Sequence, residues 1–243
     1  MTAPGLPLGP DLLAKLKTIS TSTLTTQLFK RGLANVFIQG ARPLKTGQRM
    51  AGPAFTLRYI PAREDLDGID VFRDPGHPQR VAVERIPAGA VLVMDCRGDA
   101  SVASAGSILA TRMQVRGVAG IVTDGGLRDA AGIARLEMPA WCSGPSAPTN
   151  LIRHHALDMN APIGCGGVAV YPGDIMVGDD DGVVCIPAHL AHDVARDGAE
   201  QERFEDFVLE EVAHGASIIG LYPPTTPATR ARFDTWLAAR TAK

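Results

Sequence analysis

Between Lys45 and Lys243 the chain contains no lysine, and the remaining three are Lys15, Lys17 and Lys30. Chemistry that forms an imine with a carbonyl substrate needs a lysine amine buried in the catalytic core, so that class is excluded for the long central region. Cysteine is also sparse. Cys96, Cys142, Cys165 and Cys185 are scattered among apolar residues and glycines, and no pair has a close metal-ligand spacing. That pattern excludes a disulfide scaffold and predicts four reduced, buried thiols. The 24 Lys and Arg against 26 Asp and Glu form no basic stripe, so no nucleic-acid partner is expected. No apolar run approaches the length that spans a bilayer, and no membrane partner is expected either. The opening stretch MTAPGLPLGPDLLAKLK lacks the charged segment and apolar run of a signal peptide, which makes a cytoplasmic location the expectation. Catalytic signatures are missing too: there is no G-x-S-x-G, no H-E-x-x-H and no G-x-G-x-x-G opening a helix. Gly164-Cys165-Gly166-Gly167 lacks the Lys-Ser/Thr that would make it a phosphate-binding loop.

What remains is an ordinary globular composition, 45% hydrophobic and 21% charged over 243 residues, enough to bury a core. The first eleven residues read as a Pro/Gly-rich arm. Residues 12–31 read as helical, with Ser22 or Thr23 as a cap, Leu24, Leu28 and Phe29 on one face, and Gly32 as the stop. Ala54–Ile60 is strand-like, and the polar stretch from Ala62 to Arg80 reads as a functional loop or interface element. Ala90–Asp95 reads as a buried strand, Ser101–Val115 as a helix with Ile108, Leu109 and Met113 at core spacing, and Val118–Thr123 as a second buried strand. That succession is a βαβ unit. Short strands over Ala161–Val170, Ile175–Val177 and Gly182–Ile186 follow, then a long amphipathic helix over Ala188–Ala213 and a short C-terminal helix. The fold class is α/β with a mixed sheet. It is read as a single domain over 1–243, with an N-terminal arm (about 1–11) and a C-terminal helical extension (about 188–243).

Arg128 and Asp129 sit just beyond the buried strand Val118–Thr123, after Asp124-Gly125-Gly126-Leu127, where α/β folds place ligand sites. An Arg fork suits a carboxylate, and an adjacent Asp offers hard oxygen to Mg²⁺ or Mn²⁺. From the dipeptide alone, a surface loop pair or a structural ion pair accounts for it as well. Gly106-Ser107-Ile108-Leu109 lies in a helix preceded by the polar turn Arg97-Gly98-Asp99-Ala100, and free N–H groups at a helix start attract anions. Asp179-Asp180-Asp181-Gly182 lacks the alternating ligands and terminal Glu of a calcium loop and reads as a hairpin turn. Adjacent His154 and His155 would point about 100° apart in a helix and are poorly placed to share a metal.

The segments GSILATRMQVRGVAGIVTDGGLRD and PIGCGGVAVYPGDIMVGDDDGVVCIP resemble the RraA-like family. That family holds the regulator of ribonuclease activity A and the metal-dependent 4-hydroxy-4-methyl-2-oxoglutarate aldolases. The resemblance implies a swivelling β/β/α domain assembled as a homotrimer or homohexamer. It implies that Arg128 binds the carboxylate of a small-molecule 2-oxo acid substrate and that Asp129 holds a divalent metal cation, Mg²⁺ or Mn²⁺. The amides of Gly106, Ser107, Ile108 and Leu109 would assist in binding the substrate. A glutamate from the C-terminal helix of a neighbouring subunit would complete the site; Glu205, ahead of Glu202, is the matching residue. The implied reaction is cleavage of a 4-hydroxy-2-oxo acid to pyruvate and a carbonyl product, with oxaloacetate decarboxylation as a side activity. The chain departs from the aldolase pattern at Ser107, where an acid usually stands, leaving Asp99 or Asp124 to compensate. Two alternatives stay open: a lyase or dehydratase acting on a sugar-derived 2-oxo-3-deoxy acid, and a non-catalytic ribonuclease-regulator-like binding protein.

Overall fold

The computed structural model describes residues 9–241, so the expected N-terminal arm lies outside the described residues up to residue 8. Residues Pro10 and Asp11 already belong to a helix. The chain divides into two compact units, Met1–Ala195 and Arg196–Lys243.

In chain order the first elements are helices α1 (Pro10–Thr18) and α2 (Thr21–Phe29), then strands β1 (Arg42–Pro43) and β2 (Met50–Pro61). A 3-10 helix over Ile69–Arg73, the first of three among the described residues (the others span Asn150–Ile152 and Ala188–Leu190), and helix α3 (Pro78–Arg85) lead to β3 (Val91–Asp95) and β4 (Ala103–Ala105). Next come α4 (Ser107–Val115), β5 (Gly120–Thr123), β6 (Gly126–Leu127) and the short α5 (Ala130–Ile133). Strands β7 (Ala140–Cys142), β8 (Gly144–Pro145), β9 (His154–Met159), β10 (Ile163–Cys165) and β11 (Val168–Val170) follow. Strands β12 (Ile175–Gly178) and β13 (Val183–Ile186) and helices α6 (Ala191–Ala213) and α7 (Pro227–Thr241) end the chain.

The main sheet is mixed and curled, in the order β1-β7-β5-β3-β2-β12-β13, with β9 also pairing β2. Its centre, β2-β3-β5-β7, is parallel, whereas β12 and β9 run antiparallel to β2. A parallel strand covered on both faces is apolar at every position, which is why VLVMD reads as one continuous run. Alternate side chains nevertheless part to opposite faces. Leu92, Met94 and Ile121 join a core with Ala82 and Val83 of α3 and Ala110 and Met113 of α4. Val91, Val93 and Val122 join Trp141, Val168 and Met176 on the other side. All four cysteines are free and buried, as expected, and burial pushes the Cys96 thiol up to about 12. The triple-Asp segment turns the β12–β13 hairpin, with the Asp179 N–H donating to the Gly182 carbonyl at 3.0 Å.

Several expectations need correction. Residues 12–31 form two helices, not one, because Ile19 and Ser20 are extended, and the cap of α2 is Ser20, whose hydroxyl accepts from the Thr23 amide at 3.2 Å. Phe29 is 70% exposed and leaves the apolar face to Leu24 and Leu28. The expected helix over 101–115 starts only at Ser107, since the small residues before it pair as β4 with β6. Ile108 is 81% exposed and not a core residue. His154 and His155 sit on β9, where successive side chains face opposite ways: His154 is fully buried, and His155 Nδ1 meets the Asp67 carboxylate at 2.7 Å. The polar 62–80 segment is partly helical rather than a plain loop.

Asp179 also ties the start of α2 to this hairpin. Its carboxylate accepts from the Thr21 amide and hydroxyl, both at 2.7 Å, and from the Asp181 amide at 3.0 Å, and the residue is only 6% exposed. An anion at a helix start satisfies otherwise unpaired amides and meets the positive end of the helix dipole. Asp179→Ala is therefore expected to cost about 3 kcal/mol by stranding buried donors. Urea denaturation measures this, and an unchanged midpoint would refute it.

The second unit has its own small core of Phe204, Phe207, Val208, Leu221 and Phe233, with Trp236 stacked on Phe233. Around it, Arg240 pairs with Glu210 and Arg232 with Glu211. Among the described residues, no helix is long and apolar enough to cross a membrane.

Candidate functional site

Strands β4, β6 and β8 form a second, wholly parallel sheet, in which Ala103 faces Gly126 and Gly126 faces Gly144. Parallel neighbours end on the same side, so the residues that leave them converge. The ladder continues past the strands: the Arg128 amide donates to the Ala105 carbonyl at 3.0 Å, and the Ser146 amide to the Leu127 carbonyl at 2.9 Å. Gly106 therefore leaves β4 beside Arg128 as it leaves β6. A cleft of about 210 Å³ opens here, lined by Gly106, Ser107, Ile108, Leu109, Arg128 and Asp129 among others. All the expected site residues of the first unit thus meet in one place.

Two local features shape this end of the cleft. Gly106 caps α4, and a Cβ placed on it would lie 2.7 Å from Arg128 Cγ and 3.2 Å from Asp129 Oδ2. Only a residue without a side chain lets the Arg128 stem cross the start of α4. Asp129 has φ +55° and ψ +35°, a left-handed conformation that Asp and Asn adopt more readily than most residues. That kink turns its carboxylate back toward α4, where Oδ2 accepts from the Ser107 hydroxyl at 3.0 Å and from the Ser107 amide at 3.3 Å. These bonds, the hydroxyl first, hold the Asp129 carboxyl below its ordinary value, and Arg128 adds to the effect. The Arg128–Asp129 contact itself is long, 3.9 Å, and both side chains are 49% exposed. Such a pair contributes little to stability and leaves both groups open to a ligand.

Asp129 is the one acidic side chain lining the cleft, and no group of three or more His, Cys, Asp or Glu able to hold a metal exists among the described residues. A lone carboxylate is too few ligands for zinc. It fits Mg²⁺ or Mn²⁺, which keep several waters and complete their shell with substrate oxygens. The compensating acids anticipated from the sequence are engaged elsewhere. Asp124 is buried and accepts from the amides of Cys96, Gly98 and Gly166 at 2.6, 2.9 and 3.1 Å; burial pushes its carboxyl up. Asp99 accepts from the amide and hydroxyl of Ser101. Ser107 thus supports Asp129 as a donor, in the place where the aldolase pattern has a charge.

Glu205 lies on α6 in the second unit, and there its Oε1 accepts from the Tyr222 hydroxyl at 2.6 Å and from Gln201 Nε2 at 2.8 Å. Glu202 shares that helix.

The sequence reading missed another wall of the cleft, made by residues distant in sequence from the motif: Phe72, Gln79, Arg80, Thr149 and Asn150 all line it. Gln79 is fixed there by bonds from its Nε2 to the Tyr59 hydroxyl and the Ser104 carbonyl, at 3.1 and 2.7 Å. A signal for this wall did exist. Pro78 stands at the first position of α3, where proline favours a helix start. A helix there would have carried Gln79 and Arg80 on its first turn.

Known proteins resemble the chain over most of its length. A sequence model of the RraA-like family, described as Aldolase/RraA, matches residues 21–185. A protein of Halalkalibacterium halodurans named "Putative 4-hydroxy-4-methyl-2-oxoglutarate aldolase" is 30% identical over 212 residues, 87% of this chain and 93% of that protein. Among solved structures, Streptomyces coelicolor RraAS2, described as an unusual member of the RNase ES inhibitor RraA protein family, has a TM-score of 0.73 at 30% identity, covering 84% of this chain and 98% of its own. An uncharacterized protein from Pseudomonas syringae pv. tomato has the same fold, with a TM-score of 0.78 at 23% identity over 90% of this chain and 95% of its own. With its swivelling mixed α/β fold and a family match over more than half its length, the chain belongs to the RraA-like family.

Proposed function

We propose that this protein is a divalent-metal-dependent lyase that cleaves a 4-hydroxy-2-oxo acid to pyruvate and a carbonyl product. The observation that carries the reading is the juxtaposition of Arg128 with a half-exposed Asp129 carboxylate, oriented by the Ser107 hydroxyl, in one cleft. Asp129 would hold the Mg²⁺ or Mn²⁺, which when bound supplies the positive charge that an enolate needs where no Schiff-base lysine exists. Arg128 offers a planar fork to the substrate carboxylate. The first amides of α4, at Ile108 and Leu109, have no partner inside the helix and belong to residues that line the same cleft, so they favour the anionic end of a 2-oxo acid. Ser107 orients Asp129 and does not itself exchange a proton. Glu205 of a second copy of the chain, in a trimer or hexamer, is the residue proposed to act on the 4-hydroxyl side.

Pyruvate release from 4-hydroxy-4-methyl-2-oxoglutarate and from oxaloacetate, with Mg²⁺, Mn²⁺ or EDTA, tests the proposal directly. Metal-dependent release that EDTA abolishes is the expected result. Absence of pyruvate under every condition would overturn it. Binding of a ribonuclease, suggested by the RNase ES inhibitor family of the Streptomyces relative, would then be tested by pull-down, and a sugar-derived 2-oxo-3-deoxy acid would be tried as substrate.

A further inference from the structure

The cleft that holds Arg128 also contains donors without acceptors. Asn150 is only 4% exposed, and its Nδ2 is buried with no hydrogen-bond partner among the described residues. Its Oδ1 accepts from the Thr149 hydroxyl at 3.2 Å, which fixes the amide with its NH₂ left over. Arg80 Nε is likewise buried and unpartnered among the described residues. The Arg80 guanidinium lies over the Phe72 ring at 4.5 Å, a stacking that holds its plane without using its N–H groups. Both residues line the same cleft as Arg128 and Asp129. Buried donors left unmade are costly, so native proteins rarely carry two in one cavity without an acceptor that arrives from outside.

Among the described residues no carboxylate is hydrogen-bonded to either donor, and Asp129, the one acid lining the cleft, takes its hydrogen bonds from Ser107. A guanidinium and an amide NH₂ together match an oxyanion, the guanidinium by charge and fork geometry and the amide by a further donor. We propose that Arg80 and Asn150 form a second anion subsite and are the residues that hold the distal carboxylate of the substrate. This rests on the proposed function for the orientation of the substrate, since Arg128 takes the 2-oxo end. Arg80 and Asn150 are then specificity residues, which select among 2-oxo acids and leave the bond-breaking end alone. Phe72 positions Arg80, so the 62–80 segment contributes to selection as well as to the wall.

The test uses binding, so that it stands apart from turnover. Calorimetric titration of the intact protein with Mg²⁺ present compares 2-oxoglutarate with 2-oxopentanoate, two five-carbon 2-oxo acids that differ in the distal carboxylate. Neither has a 4-hydroxyl to cleave. Wild type is expected to bind 2-oxoglutarate about ten- to a hundredfold more tightly, the worth of one or two hydrogen bonds to a charged group. Arg80→Gln is expected to erase that preference while leaving 2-oxopentanoate binding unchanged, and Asn150→Asp to reverse it by placing a like charge at the subsite. Equal wild-type affinities, or a preference that survives in Arg80→Gln, would overturn the subsite while leaving the lyase reading intact. A preference that is present in a protein releasing no pyruvate would uphold the subsite and sink the lyase reading. Failure of wild type to bind either acid would remove both.

Discussion

Asp129→Asn is expected to abolish metal-dependent pyruvate release, lowering kcat by about a thousandfold or more, with little change in melting temperature. The size follows from what is lost: a metal's stabilisation of a developing enolate is worth several kcal/mol, and each 1.4 kcal/mol is about tenfold in rate. Asparagine is the informative replacement because of the backbone. At φ +55° an alanine adds the strain of a left-handed residue, on the order of 1 kcal/mol, and so confuses loss of chemistry with loss of structure. Asparagine tolerates that conformation and keeps an oxygen for the Ser107 hydroxyl, but it cannot carry the charge that a cation needs. The side chain is half exposed and its ion pair is long, so folding depends on it only weakly. Activity of Asp129→Asn and Asp129→Ala assayed with excess Mg²⁺, beside thermal melts, decides the matter. Turnover close to wild type in either variant would remove Asp129 from the reaction.

The parts of this protein that were legible in its sequence are those governed by short-range rules. VLVMD and VAGIVT could be read as buried parallel strands because such strands are apolar on both faces. The GDDDG hairpin and the break at Gly117 followed from turn chemistry. The Arg128–Asp129 pair was legible as a possibility from its place after a strand, and the family resemblance raised it above a surface ion pair. What the sequence hid was non-local. β4 looked like the first turn of a helix because Ala103, Ser104 and Ala105 are too small to show a period. It becomes a strand only through pairing with β6, more than twenty residues away. Ser20 was overlooked as a cap because nothing local shows that Ile19 is extended.

The site was half visible for the same reason. Residues 106–109 and 128–129 lie in contiguous motifs, whereas Arg80 and Asn150 come from a short helix and a 3-10 turn that carry no motif. Their place in the cleft depends on how β2, β4 and β9 set those elements around it. Asp99 and Asp124, plausible helpers on charge alone, turned out to satisfy backbone amides. Charge counts along a chain do not distinguish a carboxylate that faces a ligand from one that closes a loop.

Gly106→Ala is expected to reproduce much of the defect of Arg128→Ala although it removes no functional group. The glycine has φ −131° and ψ −178°, an extended conformation open to any residue, so the backbone does not demand it. The demand comes from space. A methyl group there would sit 2.7 Å from Arg128 Cγ and 3.0 Å from Cδ, inside contact distance of the part of the side chain that cannot swing away without carrying the guanidinium with it. The fork would leave its position over the start of α4, and the carboxylate partner of a 2-oxo acid would be misplaced. Losing a charge-assisted, two-point contact costs about ten- to a hundredfold in binding. Arg128→Ala is therefore expected to raise KM by about that factor, and Gly106→Ala by about tenfold. The stability cost of Ala at a helix cap is about 1 kcal/mol, small enough that both variants remain folded at assay temperature. Steady-state kinetics on both, with circular dichroism as the control for folding, provides the measurement. If Gly106→Ala binds substrate as wild type does while Arg128→Ala fails, the close approach of Arg128 to α4 is incidental. If neither changes KM, Arg128 does not hold the substrate and the orientation proposed for the cleft is wrong.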